Sequence, residues 1–263
     1  MRQPGLEELV ARLRAAGCVF AEDEAALLLG ERFGAAELEA RVRRREAGEP
    51  LETVLGWVEF CGLRLAVAPG VFVPRRRTEL LVRLALDRWR DVGILVDLCT
   101  GVGDIPAAFL DARRLHPGPS PEVFAVDLDP VAVECAHRNL AGARASVLIG
   151  DLDAPLPDRI RGRVTVMTAN APYVPSGEIE LMPRDAREFE PALSLDGGPD
   201  GVSLHRRIAV LAPRWLAPGG HLIIETSGGQ AQRTADAMRA AGLTATLVED
   251  AEIAGTAVVG QLP

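Results

Sequence analysis

The chain has 263 residues, 48% of them apolar and 25% charged, with a formal net charge of −8. That apolar share supports a buried core and excludes a disordered chain, and no apolar run reaches the roughly 18–20 residues of a membrane span. The negative balance argues against a partner held mainly through nucleic-acid phosphates.

The start, Met1-Arg2-Gln3-Pro4-Gly5, leads into a charged amphipathic stretch and not a signal sequence, so a cytoplasmic location is expected. Every basic side chain is Arg, and the chain holds two Asn (Asn139, Asn170) and one Tyr (Tyr173), which makes those residues conspicuous. Cys18, Cys61, Cys99 and Cys135 lie far apart without a C-x-x-C pair. They support neither a zinc or iron–sulfur site nor a disulfide framework, and all four read as small buried apolar residues, with Cys99 set apart by its loop.

Residues 5–47 read as helical. Leu6, Leu9, Val10 and Leu13 repeat at helical spacing up to Gly17, and Ala25 with Leu27, Leu28 and Leu29 form a second patch closed by Gly30. A third helix, Ala36–Ala47, ends in Arg43-Arg44-Arg45, where the helix dipole favours positive charge, so the triplet reads as a solvated helix end. Trp57–Phe60 and Leu63–Val67 predict two short strands around a Gly62 turn. The Pro-rich Pro69–Pro74 follows, then a helix from about Thr78 to Arg90. From Gly93 onward, strand-like runs alternate with helical segments: Ile94–Val96, Val123–Val126, Ser146–Ile149, Val164–Met167 and His221–Ile224, with Thr244–Val248 and Thr256–Gly260 in the tail. Continuous apolar runs between helices predict an α/β fold, a doubly wound parallel sheet buried on both faces. The expected organisation is a helical domain over 1–56, a hairpin and linker over 57–76, and an α/β domain over 77–263.

Ligands of such sheets bind beyond the carboxyl ends of the strands. The first strand of the α/β domain runs into Asp97-Leu98-Cys99-Thr100-Gly101-Val102-Gly103, a loop whose glycines let backbone approach a ligand. A dinucleotide fingerprint needs a third glycine, and Pro106 stands there, which disfavours a dehydrogenase. Asp97 adds a carboxylate that repels a pyrophosphate and attracts an ammonium, as found at the amino-acid end of S-adenosylmethionine. Asp127, ending the next strand, is placed to accept hydrogen bonds from ribose hydroxyls. Its alternative role, a helix N-cap, suits Asp129 before Pro130 better. Asp151, after the third strand, is read either as a partner of the adenine amino group or as an ordinary loop acid. Thr100, Leu128, Leu152 and Asn170 complete the expected donor-binding set. The four histidines, His116, His137, His205 and His221, show no ligand-like spacing, and no metal site is expected.

The fourth strand runs into Asn170-Ala171-Pro172-Tyr173-Val174-Pro175, which resembles the N-P-P-Y motif of amino-group methyltransferases. Other blocks agree in order: Gly48–Leu51 with Gly56, Phe60–Leu63, Pro69–Arg75 with Thr78–Val82, Asp97–Gly103, Glu190-Pro191, Leu195–Gly198 with Asp200-Gly201, and Pro218–Gly220. From about residue 40 to 230 the chain resembles the HemK-type protein-(glutamine-N5) methyltransferases, which modify translation release factors. The resemblance implies a Rossmann-like class I fold with a seven-stranded sheet, S-adenosylmethionine as donor with S-adenosylhomocysteine as product, and a protein substrate such as a peptide chain release factor. An amide nitrogen is a poor nucleophile, and the chemistry needs its NH2 fixed and aimed. The Asn170 side-chain oxygen and the Ala171 carbonyl can each accept one N–H, Pro172 stiffens the turn, and Tyr173 can pack on the amide. A bare tight turn is the alternative for this segment. Arg75 and Glu190 are expected on the acceptor side with Asn170, Pro172 and Tyr173.

The departures mark a divergent paralogue. Ala171 replaces the family's first Pro, Arg76-Arg77 replace a Pro and an acid, and Cys99 replaces a Gly. Gly228-Gly229-Gln230 spells the tripeptide methylated in the family's substrate, and here reads as a helix start. Two alternatives stay open: N-methylation of a small molecule, peptide or nucleobase, and a non-catalytic donor-binding paralogue. The oligomeric state is not legible.

Overall fold

A computed structural model describes residues 4–89, 93–114 and 118–263. The start at Met1–Gln3, the expected helix end at Arg90 and His116 lie outside the described residues.

Helices α1 (Leu6–Ala15), α2 (Ala21–Gly30), α3 (Ala35–Glu46) and α4 (Leu51–Leu55) turn their apolar stripes inward around a cluster of their own, centred on Leu9, Leu13, Leu28, Leu38 and Val42. The arginines closing α3 are less solvated than expected. Arg44 and Arg45 pair with Glu49 and Glu24, and only Arg43, bound to Glu39, stands well out in water.

Strands β1 (Trp57–Phe60) and β2 (Leu63–Ala66) pair antiparallel. Their two-residue turn takes φ of 50° at Cys61 and 75° at Gly62. Positive φ at both central residues matches the twist of the strands, so the tight turn carries Cys61 outward. The thiol expected in a core is therefore exposed, while Cys18 and Cys135 are buried. The hairpin and the strap behind it are packed, not tethered: Val58, Phe60, Leu65, Val67, Val71 and Val73 share one core cluster with α5 (Glu79–Asp87).

The rest alternates: β3 (Ile94–Leu98), α6 (Asp104–Arg114), β4 (Glu122–Asp127), α7 (Pro130–Asn139), β5 (Ala145–Ile149), β6 (Val164–Ala169), α8 (Arg184–Phe189), α9 (Ser203–Trp215), β7 (Leu216–Glu225), α10 (Ala231–Ala240), β8 (Thr244–Asp250) and β9 (Gly255–Gln261). The seven strands from β3 onward form one sheet in the order β5-β4-β3-β6-β7-β9-β8. Alternation along β3 splits its side chains between two apolar layers: Leu95 faces the cluster of α5, α6 and α7, and Val96 and Leu98 face that of α9 and α10. Every pairing is parallel except those of β9, which runs against β7 and β8. The link from β8 to β9 is too short for a crossover, so only antiparallel pairing can follow it.

Candidate active site

Chain order in the sheet reverses between β3 and β6. The loops leaving these two strands diverge there and open a crevice. Its walls include Thr100, Gly101 and Asp104 after β3, Asp127 and Leu128 after β4, Asp151 and Leu152 after β5, and Asn170–Val174 after β6. Phe72, Pro74 and Arg77 close it from the strap before α5.

Gly101 and Gly103 both take positive φ, 54° and 79°. They serve different ends. A Cβ on Gly103 would press on Ala136 Cβ and Leu140 Cδ1 at 3.2 Å, so this glycine lets α6 seat against α7. A Cβ on Gly101 would meet nothing within 4 Å, so bare backbone faces the crevice and leaves room for a ligand. Cys99 also has positive φ, 56°, and lines the crevice. Asn139 braces the loop from behind, donating to the carbonyls of Val102 (2.8 Å) and Ala66 (2.9 Å) and accepting from Ala66 N–H at 2.7 Å.

The expected role of Asp97 needs correction. It lies on the same face of β3 as Leu95, is wholly buried, and sits opposite Thr168 in register. The hydroxyls of Thr100 and Thr168 donate to its two oxygens, each at 2.6 Å. Burial pushes its carboxyl up to about 7, and it does not line the crevice. Asp97 anchors the loop from below. The cavity-lining acid of this loop is Asp104, which opens α6, is 8% exposed, and is pushed up to about 8 by burial.

Asp129 caps α7, accepting from Val131 N–H at 2.8 Å, which leaves Asp127 to the crevice as expected. Asp127 is not idle: its oxygens accept the amides of Gly101 (2.7 Å) and Asp129 (2.9 Å), and each keeps a lone pair. Asp151 pairs with Arg207 at 2.7 Å, both exposed at the rim. Leu128 is half exposed and Leu152 buried, and both line the wall.

Asn170 donates through Nδ2 to the hydroxyl of fully buried Thr78 at 3.2 Å. Ala171 and Pro172 are buried beside it. Behind this segment the buried His205 meets Thr234 Oγ1 through Nδ1 at 2.8 Å, and burial holds its ring down to about 4. Tyr173 donates its hydroxyl to Glu225 at 3.2 Å, and the same Oε1 takes Arg77 Nε at 3.0 Å. Behind Tyr173, its carbonyl accepts Gln230 Nε2 at 2.7 Å, and Gly197 packs so closely that a Cβ there would reach Tyr173 Cα at 2.7 Å.

Arg75 and Glu190 do not line the crevice. Arg75 pairs with buried Glu190, which also accepts Val73 N–H at 3.3 Å, so the pair fastens the strap to the segment after α8. The arginine that lines the crevice from the strap is Arg77. Sequence reasoning also missed Thr78, Asp104, Glu225 and Gln230. Two carried a signal: Asp104 follows Gly101-x-Gly103 at a helix start, and Glu225 ends an apolar run at a strand's carboxyl end.

Solved structures share this architecture. A methyltransferase from Pyrococcus furiosus superposes with a TM-score of 0.52 at 17% identity, covering 85% of this chain and 96% of that one. The T. thermophilus 16S rRNA N2 G1207 methyltransferase, in complex with AdoMet and guanosine, gives 0.54 at 17%, covering 79% and 50%. The fold is the Rossmann-like class I fold of S-adenosylmethionine-dependent methyltransferases. No protein-family model matches the chain. Among curated relatives, the release factor glutamine methyltransferase of Streptomyces coelicolor is 39% identical over 227 residues, 80% of this chain and 79% of that enzyme. That of Geobacter sulfurreducens is 39% identical over 193 residues, 73% of this chain and 65% of that enzyme. A 4-amino-L-phenylalanine/4-methylamino-L-phenylalanine methyltransferase of Streptomyces pristinaespiralis is 34% identical over 208 residues, 76% of this chain and 69% of that enzyme. The chain belongs to the release factor glutamine methyltransferase family.

Proposed function

We propose that this protein transfers a methyl group from S-adenosylmethionine to the side-chain nitrogen N5 of a glutamine in a peptide chain release factor. One observation carries the reading. Thr78 holds the NH2 of Asn170, so the amide oxygen at the crevice wall is the atom left for a substrate N–H. The Ala171 carbonyl supplies the second acceptor, and the two together orient the NH2 of the target glutamine. Tyr173, fixed through Glu225, Arg77 and Gln230, shields the amide from water.

The residues present fit the donor. Bare backbone at Gly101 gives it room, and Asp127 keeps lone pairs for ribose hydroxyls. Asp151, Leu128 and Leu152 border the adenine end. Bound, the donor supplies a methyl carbon already activated by its sulfonium and leaves as S-adenosylhomocysteine. Catalysis by the chain is then positioning and electrostatics, and no side chain serves as general base; His205 is buried and pairs with Thr234.

The N-terminal helices, residues 1–56, dock the protein substrate. The segment 57–76 joins them to the transferase domain, 77–263. The reaction takes place in the cytoplasm, where release factors act.

The test is methylation by purified protein of a release factor, with small aryl amines and total RNA in parallel. One methyl on a release-factor glutamine, located by mass spectrometry, is the expected result. Transfer to an aryl amine alone would install a second reading, N-methylation of a small molecule, which the Streptomyces pristinaespiralis relative favours. Binding without transfer to any acceptor would leave a non-catalytic paralogue.

A further inference from the structure

The sheet lays out the crevice in strand order. Asp151 and Leu152 stand over β5, Asp127 and Leu128 over β4, Thr100–Asp104 over β3 and Asn170 over β6. A donor with its adenine over β5 and its ribose over β4 must carry its amino-acid end over β3, between the ribose and the acceptor. The charged wall residues elsewhere are engaged. Asp127 and Asp129 accept backbone amides, Asp151 pairs with Arg207, and Arg77 pairs with Glu225. Asp104, like Asp127 and Asp129, has no cation beside it among the described residues, and it is the most buried of the three. It is supported only by the first amides of α6, although it is more than nine-tenths buried and lines the crevice over β3.

We propose that Asp104 is the carboxylate that receives the ammonium of the donor's amino-acid end. The inference rests on the donor reading above and gives Asp104 the role the sequence pattern assigned to Asp97. A buried carboxylate with no counter-cation is costly, and a ligand cation that neutralises it regains much of that cost. The titratable groups acting on Asp104 are Asp97 beneath the loop, Glu225 at the end of β7 and Cys61 in the hairpin turn. The Cys61 thiol, pushed up to about 12, is neutral, while the carboxylates of Asp97 and Glu225 favour the protonated form of Asp104 and a bound ammonium opposes them. Binding of the donor therefore releases a proton at neutral pH.

Calorimetry on the full chain separates the outcomes. S-adenosylhomocysteine carries the ammonium, and 5′-methylthioadenosine keeps the nucleoside without the amino-acid end. Asp104→Asn should weaken S-adenosylhomocysteine by about tenfold or more and leave 5′-methylthioadenosine within about twofold. Retained nucleoside affinity also shows that the variant is folded. On wild-type protein alone, the deaminated analogue of S-adenosylhomocysteine should bind about tenfold more weakly than the parent, a measurement independent of any variant. Titrations in buffers of different ionisation enthalpy should show a proton released with S-adenosylhomocysteine by wild type and not by Asp104→Asn. Equal weakening of both nucleosides, or unchanged affinity for S-adenosylhomocysteine, would overturn the role of Asp104 alone. Wild-type protein that binds neither nucleoside would overturn the donor reading itself, and the inference with it.

Discussion

Thr78→Val is the sharpest probe of how Asn170 is aimed. Thr78 has no exposed surface, and valine has its shape, so packing is retained while the hydroxyl that accepts Asn170 Nδ2 is removed. The bond is neutral and long, 3.2 Å, which puts its net worth at about 1 kcal/mol. Withdrawn from the orientational bias of the Asn170 amide, that energy is about fivefold in the population of the productive orientation. The rate constant kcat should therefore fall about fivefold, with affinity for S-adenosylhomocysteine unchanged within about twofold and Tm lowered by about 2–4 °C. Steady-state methylation of a release-factor glutamine, with calorimetry and thermal melting beside it, reads all three. Thr78→Ser, which keeps a hydroxyl, should recover most of the rate. Wild-type kcat in Thr78→Val, or an equal fall in Thr78→Ser, would refute the reasoning that the hydroxyl orients Asn170.

Asn170→Ala should lower kcat by a factor of about 100 or more while leaving S-adenosylhomocysteine affinity nearly intact; parallel losses in both would contradict a positioning role. Cys99 holds a left-handed backbone, φ 56°, that costs an L-residue about 1 kcal/mol, so Cys99→Gly should raise Tm by about 2–4 °C, and a drop would show that the side chain supports the loop. A Cβ at Gly201 would land on the Gln230 amide and the Tyr173 carbonyl, so Gly201→Ala should destabilise by about 1–3 kcal/mol in urea and reduce kcat; unaltered melting and turnover would mean that the brace is dispensable. Asp97 and Asp104 are held above ordinary carboxylate values, so folding takes up protons and stability falls as pH rises from about 4, where the unfolded carboxyls ionise, up to about 7 for Asp97 and about 8 for Asp104. Wild type should lose Tm across that window in the absence of ligand, and Asp104→Asn should lose less; equal slopes would contradict the buried acid.

Much of the fold is written locally. The β-rich runs Val123–Val126 and Val164–Met167 appear as β4 and β6 because strands buried on both faces need continuous apolar residues. Strand direction is not encoded in such runs, so the reversal of β9 emerges only from its short link to β8. Within the site, the Gly loop and the Asn170 segment are legible because each acts through neighbours in sequence. The assignment of Asp97 failed on the two-residue alternation of β3, which turns it under the sheet toward Thr168, and one strand position decides between crevice and core. Thr78, Glu225 and Gln230 reach the Asn170–Tyr173 loop from distant stretches of chain, and no local pattern announces that meeting. In sequence, Asp104 is hard to tell from an ordinary first-turn acid favoured by the helix dipole.

Gln230 reaches the carbonyl of Tyr173, while Val174 exchanges backbone bonds with Leu195 and Gly197. The backbone of the acceptor loop is thus shaped by buttresses later in the chain, while Arg77 and Thr78, earlier in the chain, help hold its side chains. A proline at position 171 would stiffen from within what is already clamped from without. During synthesis the same dependence sets an order: Arg77 and Thr78 leave the ribosome before Asn170 and Tyr173, but Leu195, Gly197 and Gln230 follow them, so the loop matures only when the chain has passed Gln230.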